Sequence, residues 1–258
     1  MQTGAITSYI DVAQVALYAF WLFFAGLIFY LRREDKREGY PLENERSPHV
    51  RVQGFPPIPA PKALKLAHEG HRIPRPQERN LDGILIPTAP WPGAPMQPLG
   101  DPMQDGVGPA SYALRAEVPD VTFDEQLPKI VPLRAASGYY LAAQDPDPRG
   151  YQVVTADGRI AGTVMDCWVD RSETVVRYLE ADAEGSSGAR RVVFPMALAR
   201  VDAKRRIVKV VSVLANQFIE APMLKDADTI TLREEDRISG YFAGGHMYAT
   251  PQRLGPLI

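Results

Sequence analysis

The chain has 258 residues with 29 Lys and Arg against 31 Asp and Glu, and a net charge of −2 excludes a generalised attraction to nucleic acid. A single cysteine, Cys167, excludes a disulfide framework and a cysteine-rich zinc site. Eighteen of the 24 prolines fall between Pro41 and Pro132, and the long apolar run lies before residue 32, so one uniform globule is excluded too.

Residues Val12 to Leu31 (VAQVALYAFWLFFAGLIFYL) carry no charge. A helix rising roughly 1.5 Å per residue over that length spans roughly 30 Å, the thickness of the bilayer hydrocarbon. Asp11 precedes the run, Arg32 and Arg33 follow it, and Tyr9 and Tyr30 stand near its ends, where amphipathic rings favour the interface. The segment reads as a transmembrane helix. A cleaved signal peptide would need basic residues before the apolar core and a small-residue cleavage site after it, and neither is present. Arg32, Arg33, Lys36 and Arg37 lie beyond the helix and no Lys or Arg lies before it. The positive-inside rule therefore places residues 1–11 in the periplasm and the bulk of the chain in the cytoplasm. The span holds no His to ligate a chlorophyll magnesium or haem iron, and no ionisable group to relay protons, so it reads as an anchor.

Residues 32–38 (RREDKRE) mix signs, which disfavours a purely lipid-binding polybasic patch. The i,i+4 pairs are like-charged, while Arg32–Asp35 and Glu34–Arg37 at i,i+3 are favourable. External partners of opposite charge would help, so lipid or protein contacts are expected here. Gly39-Tyr40-Pro41 is expected to end the helix.

From Pro41 to Pro132, segments such as FPPIPAP (55–61) and PWPGAP (90–95) cannot be helix interior or central strand. Phe55, Ile58, Ile84-Leu85-Ile86, Trp91 and Met96 are denser than in most disordered segments, so an extended chain ordered by contact is expected. Residues 100–110 (GDPMQDGVGPA) read as a compact loop. A phosphate cradle there lacks the Lys-Ser/Thr that should follow, and Asp101 and Asp105 would repel phosphate.

Beyond Lys129 short β runs appear at 138–142, 151–155, 160–169, 174–181, 190–194 and 207–213. A hairpin turn is expected at 156–159 and a charged turn at 202–206. Thr229–Leu232 reads as a further strand and Arg233–Ile238 as a short helix. The fold class expected is one N-terminal transmembrane helix, an extended proline-rich segment and a mainly β cytoplasmic domain, a small antiparallel barrel over 129–258. Pro195 should end a strand or sit on an edge. His49, His68, His71 and His246 are scattered, and no catalytic set is visible, so no enzyme and no metal site are expected. Cys167 reads as a packed core thiol. Asp166, Asp170, Glu173, Glu180 and Asp182 surround one expected hairpin together with Arg171 and Arg177. A solvated turn is the plain reading. Beneath a membrane partner, burial and mutual repulsion raise carboxylate pKa values, and such groups exchange protons near neutral pH.

Three stretches together resemble a known family: Tyr30–Leu42 (YLRREDKREGYPL), the loop Gly100–Ala110, and the hairpin from Ile160 through Glu180. They are similar, in the same order, to the H subunit of the photosynthetic reaction centre of purple bacteria, and the C-terminal part resembles its PRC-barrel. The resemblance implies a single-pass subunit of the photosynthetic inner membrane that binds no cofactor itself. It would cap the L and M subunits, which hold bacteriochlorophyll, bacteriopheophytin, quinones and non-haem iron. It would also help deliver protons to the secondary quinone. A cytochrome subunit, an antenna ring and membrane lipids are further implied partners. On the same resemblance Glu173 is the first relay carboxylate, Asp170 and Arg177 are its electrostatic neighbours, and Asp124 lies near the proton entrance. Some relatives carry a His pair at that entrance. Here the chain reads Asp124-Glu125-Gln126-Leu127-Pro128-Lys129, so Asp124 and Glu125 are expected to collect protons and zinc to inhibit weakly. Arg32, Arg33, Arg37 and Tyr40 are the implied lipid or partner contacts. The competing reading is a membrane-tethered PRC-barrel adaptor that docks another cytoplasmic protein.

Overall fold

A computed structural model describes residues 4, 6–7, 10–44, 47–66, 70–72, 79, 81, 83–91, 93–185 and 188–254. Tyr9 and His68 lie outside the described residues, as do the side chains of His49 and His71. The chain divides into two compact units, residues 1–77 with 87–96, and residues 78–86 with 97–258.

In the first unit, α1 (Val12–Asp35) begins at a capping box. Asp11 accepts from the Gln14 amide at 2.7 Å, and the Gln14 side chain accepts from the Asp11 amide at 3.3 Å. None of its residues is buried, so its apolar surface is free for lipid or partner helices. The helix ends earlier than Gly39-Tyr40-Pro41, at Asp35 with Lys36 as cap. The reason is tertiary: the buried Lys36 ammonium donates to the Gln53 and Pro56 carbonyls at 2.9 and 2.7 Å. These bonds draw the proline turn onto the end of the helix. Two short hairpins follow, β1 (Leu42–Asn44) with β2 (Ser47–Val52) and β3 (Leu64–Leu66) with β4 (Gly70–Arg72). A third pair, β5 (Leu85–Pro87) and β6 (Met96–Pro98), brackets the PWPGAP turn.

The second unit opens with a single helical turn, α2 (Pro102–Asp105), capped by Asp101 and closed by Gly106 in the left-handed region. The 100–110 segment is therefore a helical turn followed by a 3-10 turn at 108–110, rather than an irregular loop. Arg79 fixes it, donating to the Asp105 and Gly106 carbonyls at 2.5 Å while its guanidinium lies 4.4 Å from the Tyr112 ring centre.

A seven-stranded sheet forms the body of this unit. Its strands are β7 (Ile130–Pro132), β8 (Gln152–Thr155), β9 (Ile160–Asp170), β10 (Val175–Gly185), β11 (Gly188–Pro195), β12 (Arg200–Asp202) and β13 (Ile207–Val210). They run in the order β11-β10-β9-β8-β13-β12, with β7 also on β9. The mainly β module anticipated from the sequence is present, with two differences. The path ends at β11 and β12 instead of closing, and β8 pairs with β13 in parallel, so the sheet is mixed. Residues 138–142 form no strand. Pro146 and Pro148 follow closely, and Tyr140 is left exposed. The 156–159 turn joins β8 to β9 as a hairpin, and Pro195 ends β11.

The core lies between the sheet and two helices, α3 (Ala215–Ile219) and α4 (Leu232–Tyr248). Phe194, Phe218 and Phe242 meet there edge to face or tilted, with ring centres 5.3–6.2 Å apart, beside Trp168, Leu179 and Ile238. Thr229–Leu232 is no strand: Thr231 caps α4, in a capping box with Glu234. The helix then runs ten residues past the expected end at Ile238. Its later half holds Gly240, Gly244 and Gly245, poor helix formers that are needed for close approach. A Cβ on Gly244 would sit 2.5 Å from Ala110 Cβ, and one on Gly240 2.8 Å from the Ala110 carbonyl oxygen. We expect Gly244→Ala to destabilise the protein by about 1–3 kcal/mol, measured as a shift in denaturant midpoint. An unchanged midpoint would remove this contact from the account.

Candidate functional site

The site forms where β9 turns into β10. Asp170 ends β9, and residues 171–174 make a tight turn that puts Thr174 at φ 53°. Only a short polar side chain at position 170 can close such a turn on itself. One Asp170 carboxylate oxygen accepts from the backbone amides of Ser172 and Glu173 at 2.9 and 3.1 Å. The other faces two cations, Arg177 Nε at 3.2 Å and Lys129 Nζ at 3.8 Å. Asp170 is buried, and these partners are what make its burial tolerable.

Arg177 also reaches outward. Its Nη2 donates to Glu173 Oε2 at 2.5 Å, and the Glu173 side chain is 56% exposed. Arg177 thus couples one buried and one open carboxylate. Lys129 does the same on another side, standing 3.7 Å from Asp120.

Asp124 and Glu125 are exposed on the 122–127 turn, which Thr122 and Leu127 close with a 2.8 Å backbone bond. They line a cavity of about 740 Å³ with Thr122, Tyr139, Arg171 and Ser172. The Arg171 amide donates to the Lys129 carbonyl at 2.9 Å, and the Tyr139 hydroxyl to the Arg171 carbonyl at 3.0 Å. The cavity therefore places Asp124 and Glu125 beside Arg171 and Ser172 of the β9–β10 turn, while Asp170, Glu173 and Arg177 do not line it.

Asp166, Glu180 and Asp182, grouped with this turn in the sequence reading, belong elsewhere. Asp166 and Glu180 face each other across β9 and β10 and share Arg134 Nη1 at 3.2 and 2.7 Å. Trp168 Nε1 adds a bond to Glu180 at 2.9 Å, and Arg134 Nε pairs with Asp228 at 3.0 Å. This second cluster ties the 133–135 turn and the 227–228 loop to the sheet. Asp182 pairs with Arg191 at 3.8 Å. Cys167 is a buried core thiol, and desolvation pushes its pKa up to about 12, so it is not a nucleophile at neutral pH. Among the described residues no group of three or more His, Cys, Asp or Glu is placed to hold a metal.

Glu235 on α4 was missed by the sequence reading because an acidic first helical turn is ordinary capping. Its carboxylate is half-buried and accepts from the Tyr178 hydroxyl at 3.3 Å. Burial raises its pKa, and the charge of Asp120 adds to the rise while Tyr178 and Arg115 oppose it.

Of the lipid or partner contacts named from sequence, Arg32 and Arg33 are exposed. Arg32 Nη2 lies 3.5 Å from the Tyr40 hydroxyl. Arg37 is engaged within the chain, with Glu34 at 2.8 Å and the Ala60 carbonyl at 2.6 Å, while Lys62 also pairs with Glu34 at 2.7 Å.

Among the described residues one apolar helix is long enough to cross a membrane, and with the β module and its ion-paired carboxylate hairpin it fits a membrane-anchored PRC-barrel protein. The family model for the PRC-barrel domain matches residues 143–216, and that for the photosynthetic reaction centre, H-chain N-terminal region, matches residues 4–135. The chain belongs to the H-chain family of the photosynthetic reaction centre, and so to a structural subunit that works in a complex with others.

Glu235 yields a pH test. Below the unfolded carboxyl value of about 4.3 both states hold the proton and nothing is lost. As pH rises, the unfolded chain releases it first, so stability falls until the folded carboxyl ionises as well. Glu235→Gln keeps an acceptor for Tyr178 without the charge. Its melting temperature should gain on the parent's as pH rises from about 4 to about 8, and a constant difference across that range would remove Glu235 from this role.

Proposed function

We propose that this subunit caps the cytoplasmic face of the L and M subunits and conducts protons toward the secondary quinone, with its N-terminus in the periplasm. The pigments, quinones and non-haem iron belong to L and M in this reading, and this chain binds none of them. Reduction of a quinone to quinol consumes protons, and a water-excluding cap starves the reaction unless it carries acids that exchange them. The observation that supports the reading is the cavity that Asp124 and Glu125 share with Arg171 and Ser172, the two residues that follow Asp170. Exposed carboxylates collect protons at one side. Asp170, fixed by Ser172 and Glu173 amides and by Arg177 and Lys129, is the buried member. Glu173, exposed and held by Arg177, is the carboxylate that would face the quinone side. The charge asymmetry around α1 supports the orientation. Arg32 and Arg33, exposed at the helix end, suit lipid phosphates or acidic groups of partner helices.

Flash-induced kinetics on the purified complex test the reading. Glu173→Gln should leave primary charge separation intact and slow the second electron with its coupled proton by about tenfold or more. Asp124→Asn with Glu125→Gln should slow proton uptake alone. Added zinc should inhibit the parent weakly, because the entrance offers carboxylates and no His pair. Unchanged quinol formation in Glu173→Gln would remove it from the relay, and strong zinc inhibition traced to Asp124 would overturn the entrance.

A further inference from the structure

The β12–β13 hairpin carries five cations, Arg200, Lys204, Arg205, Arg206 and Lys209, in a chain whose net charge is −2. Elsewhere in this unit Arg115, Arg134, Arg149, Arg177, Arg191 and Arg233 each have a carboxylate within 4 Å, and Arg79, Arg190 and Arg253 donate to backbone carbonyls. Among the described residues, none of the five hairpin cations has such a partner. The hairpin's one acid, Asp202, uses its carboxylate to close the turn, accepting from the Arg205 amide at 3.1 Å. Arg206 lies 5.3 Å from the Tyr151 ring centre, and its charge stays uncompensated.

The register sharpens this. Val201 pairs with the fully buried Val208, so these two point inward, and Arg200 and Lys209, paired directly opposite one another, point outward together. Like charges at such a position oppose strand pairing. Edge protection does not account for them. It requires charge on an unpaired strand, and only Arg200 sits on β12, the end of the sheet. Lys209 is on β13, which is paired on both sides, and the other three are in the exposed turn.

We propose that this hairpin docks on the anionic lipid headgroups of the bilayer that holds α1. Charge complementarity selects an anionic surface. The covalent tether to a membrane-crossing helix makes the bilayer the surface of highest effective concentration. With Val201 and Val208 turned inward there is nothing apolar to insert, so the contact is electrostatic and salt screens it. The proposal does not lean on the proton-relay reading.

The test uses the intact complex in nanodiscs of phosphatidylcholine alone or of equal parts phosphatidylcholine and phosphatidylglycerol. Acylation of Lys204 and Lys209 is followed by mass spectrometry, with the exposed Lys225 as internal reference. Labelling of Lys204 and Lys209 should fall several-fold in the anionic discs and recover in high salt. Replacing Arg200, Arg205 and Arg206 with Gln should remove most of that protection; Arg205→Gln alone, which alters one exposed turn residue, should weaken it measurably. Equal labelling in both discs overturns the proposal. So does protection found in native membranes and absent from anionic discs, which assigns the hairpin to an acidic protein instead.

Discussion

Asp170 is a carboxylate taken almost wholly out of water at the end of the central strand β9, and the hairpin geometry depends on how that charge is compensated. An ionised group in such a place needs hydrogen bonds on every lone pair and opposite charge nearby, or it gives up its charge. Two backbone amides of its own turn occupy one oxygen, and Arg177 and Lys129 face the other. Each partner fixes something further. The amide bonds set the path of residues 171–174. Arg177 holds Glu173, and Lys129 brings the 120–129 segment and its carboxylates against the turn. Replacing Asp170 by an apolar residue would release three pieces of structure at once.

The contrast with the Asp166–Glu180 cluster is instructive. Each cluster holds buried carboxylate, Asp170 in one and Asp166 with Glu180 in the other, and both are met by arginine. Arg134 spends its guanidinium on Asp166, Glu180, Asp228 and the Ala227 carbonyl, tying the 227–228 loop to the sheet, and its Asp228 partner is exposed. Arg177 leaves its second carboxylate, Glu173, open to the surface. Both arginines thus join buried charge to an exposed carboxylate. What sets the Asp170 turn apart is the cavity that its Arg171 and Ser172 share with Asp124 and Glu125.

Much of this was legible in the residues. The span of α1 follows from length and absent charge, and the β8–β9 hairpin from the Asp157-Gly158 turn. The crowding of acids near the β9–β10 turn was also visible, but which of them converge was not. Alternation along β9 breaks into continuous burial from Asp166 to Asp170, so periodicity cannot say which carboxylates share a partner. Arg134 and Lys129 are long-range partners without a local signal. The later half of α4 was hidden by glycines whose purpose, contact with Ala110, lies more than 100 residues away. The YYLA run at 139–142 has strand propensity, but Pro146 and Pro148 follow it closely and it joins no sheet among the described residues. Lys36 reads as one more solvated charge in a mixed run until the carbonyls of Gln53 and Pro56 are seen closing on it.

The apolar groups left uncovered are distributed as a subunit of a larger complex requires. In α1 no side chain is buried, and outside it Phe55, Trp91 and Met96 of the proline-rich region stay exposed, Phe55 at 81%. A self-sufficient soluble domain of this size can usually gather such residues into its own core. Proline at nearly every second or third position within 56–61 and 87–98 opposes that here: these stretches cannot fold back into a helix or a paired central strand. The second unit, by contrast, buries Phe194, Phe218, Phe242 and Trp168 completely, while Phe123, Tyr140 and Ile160 stay exposed on it. The chain thus has its large aromatic core in the β module, and no such core covers the apolar groups of the anchor and of Phe55 and Trp91. This division follows from composition alone, and it is the arrangement in which a membrane complex completes the first unit while the second folds around its own core.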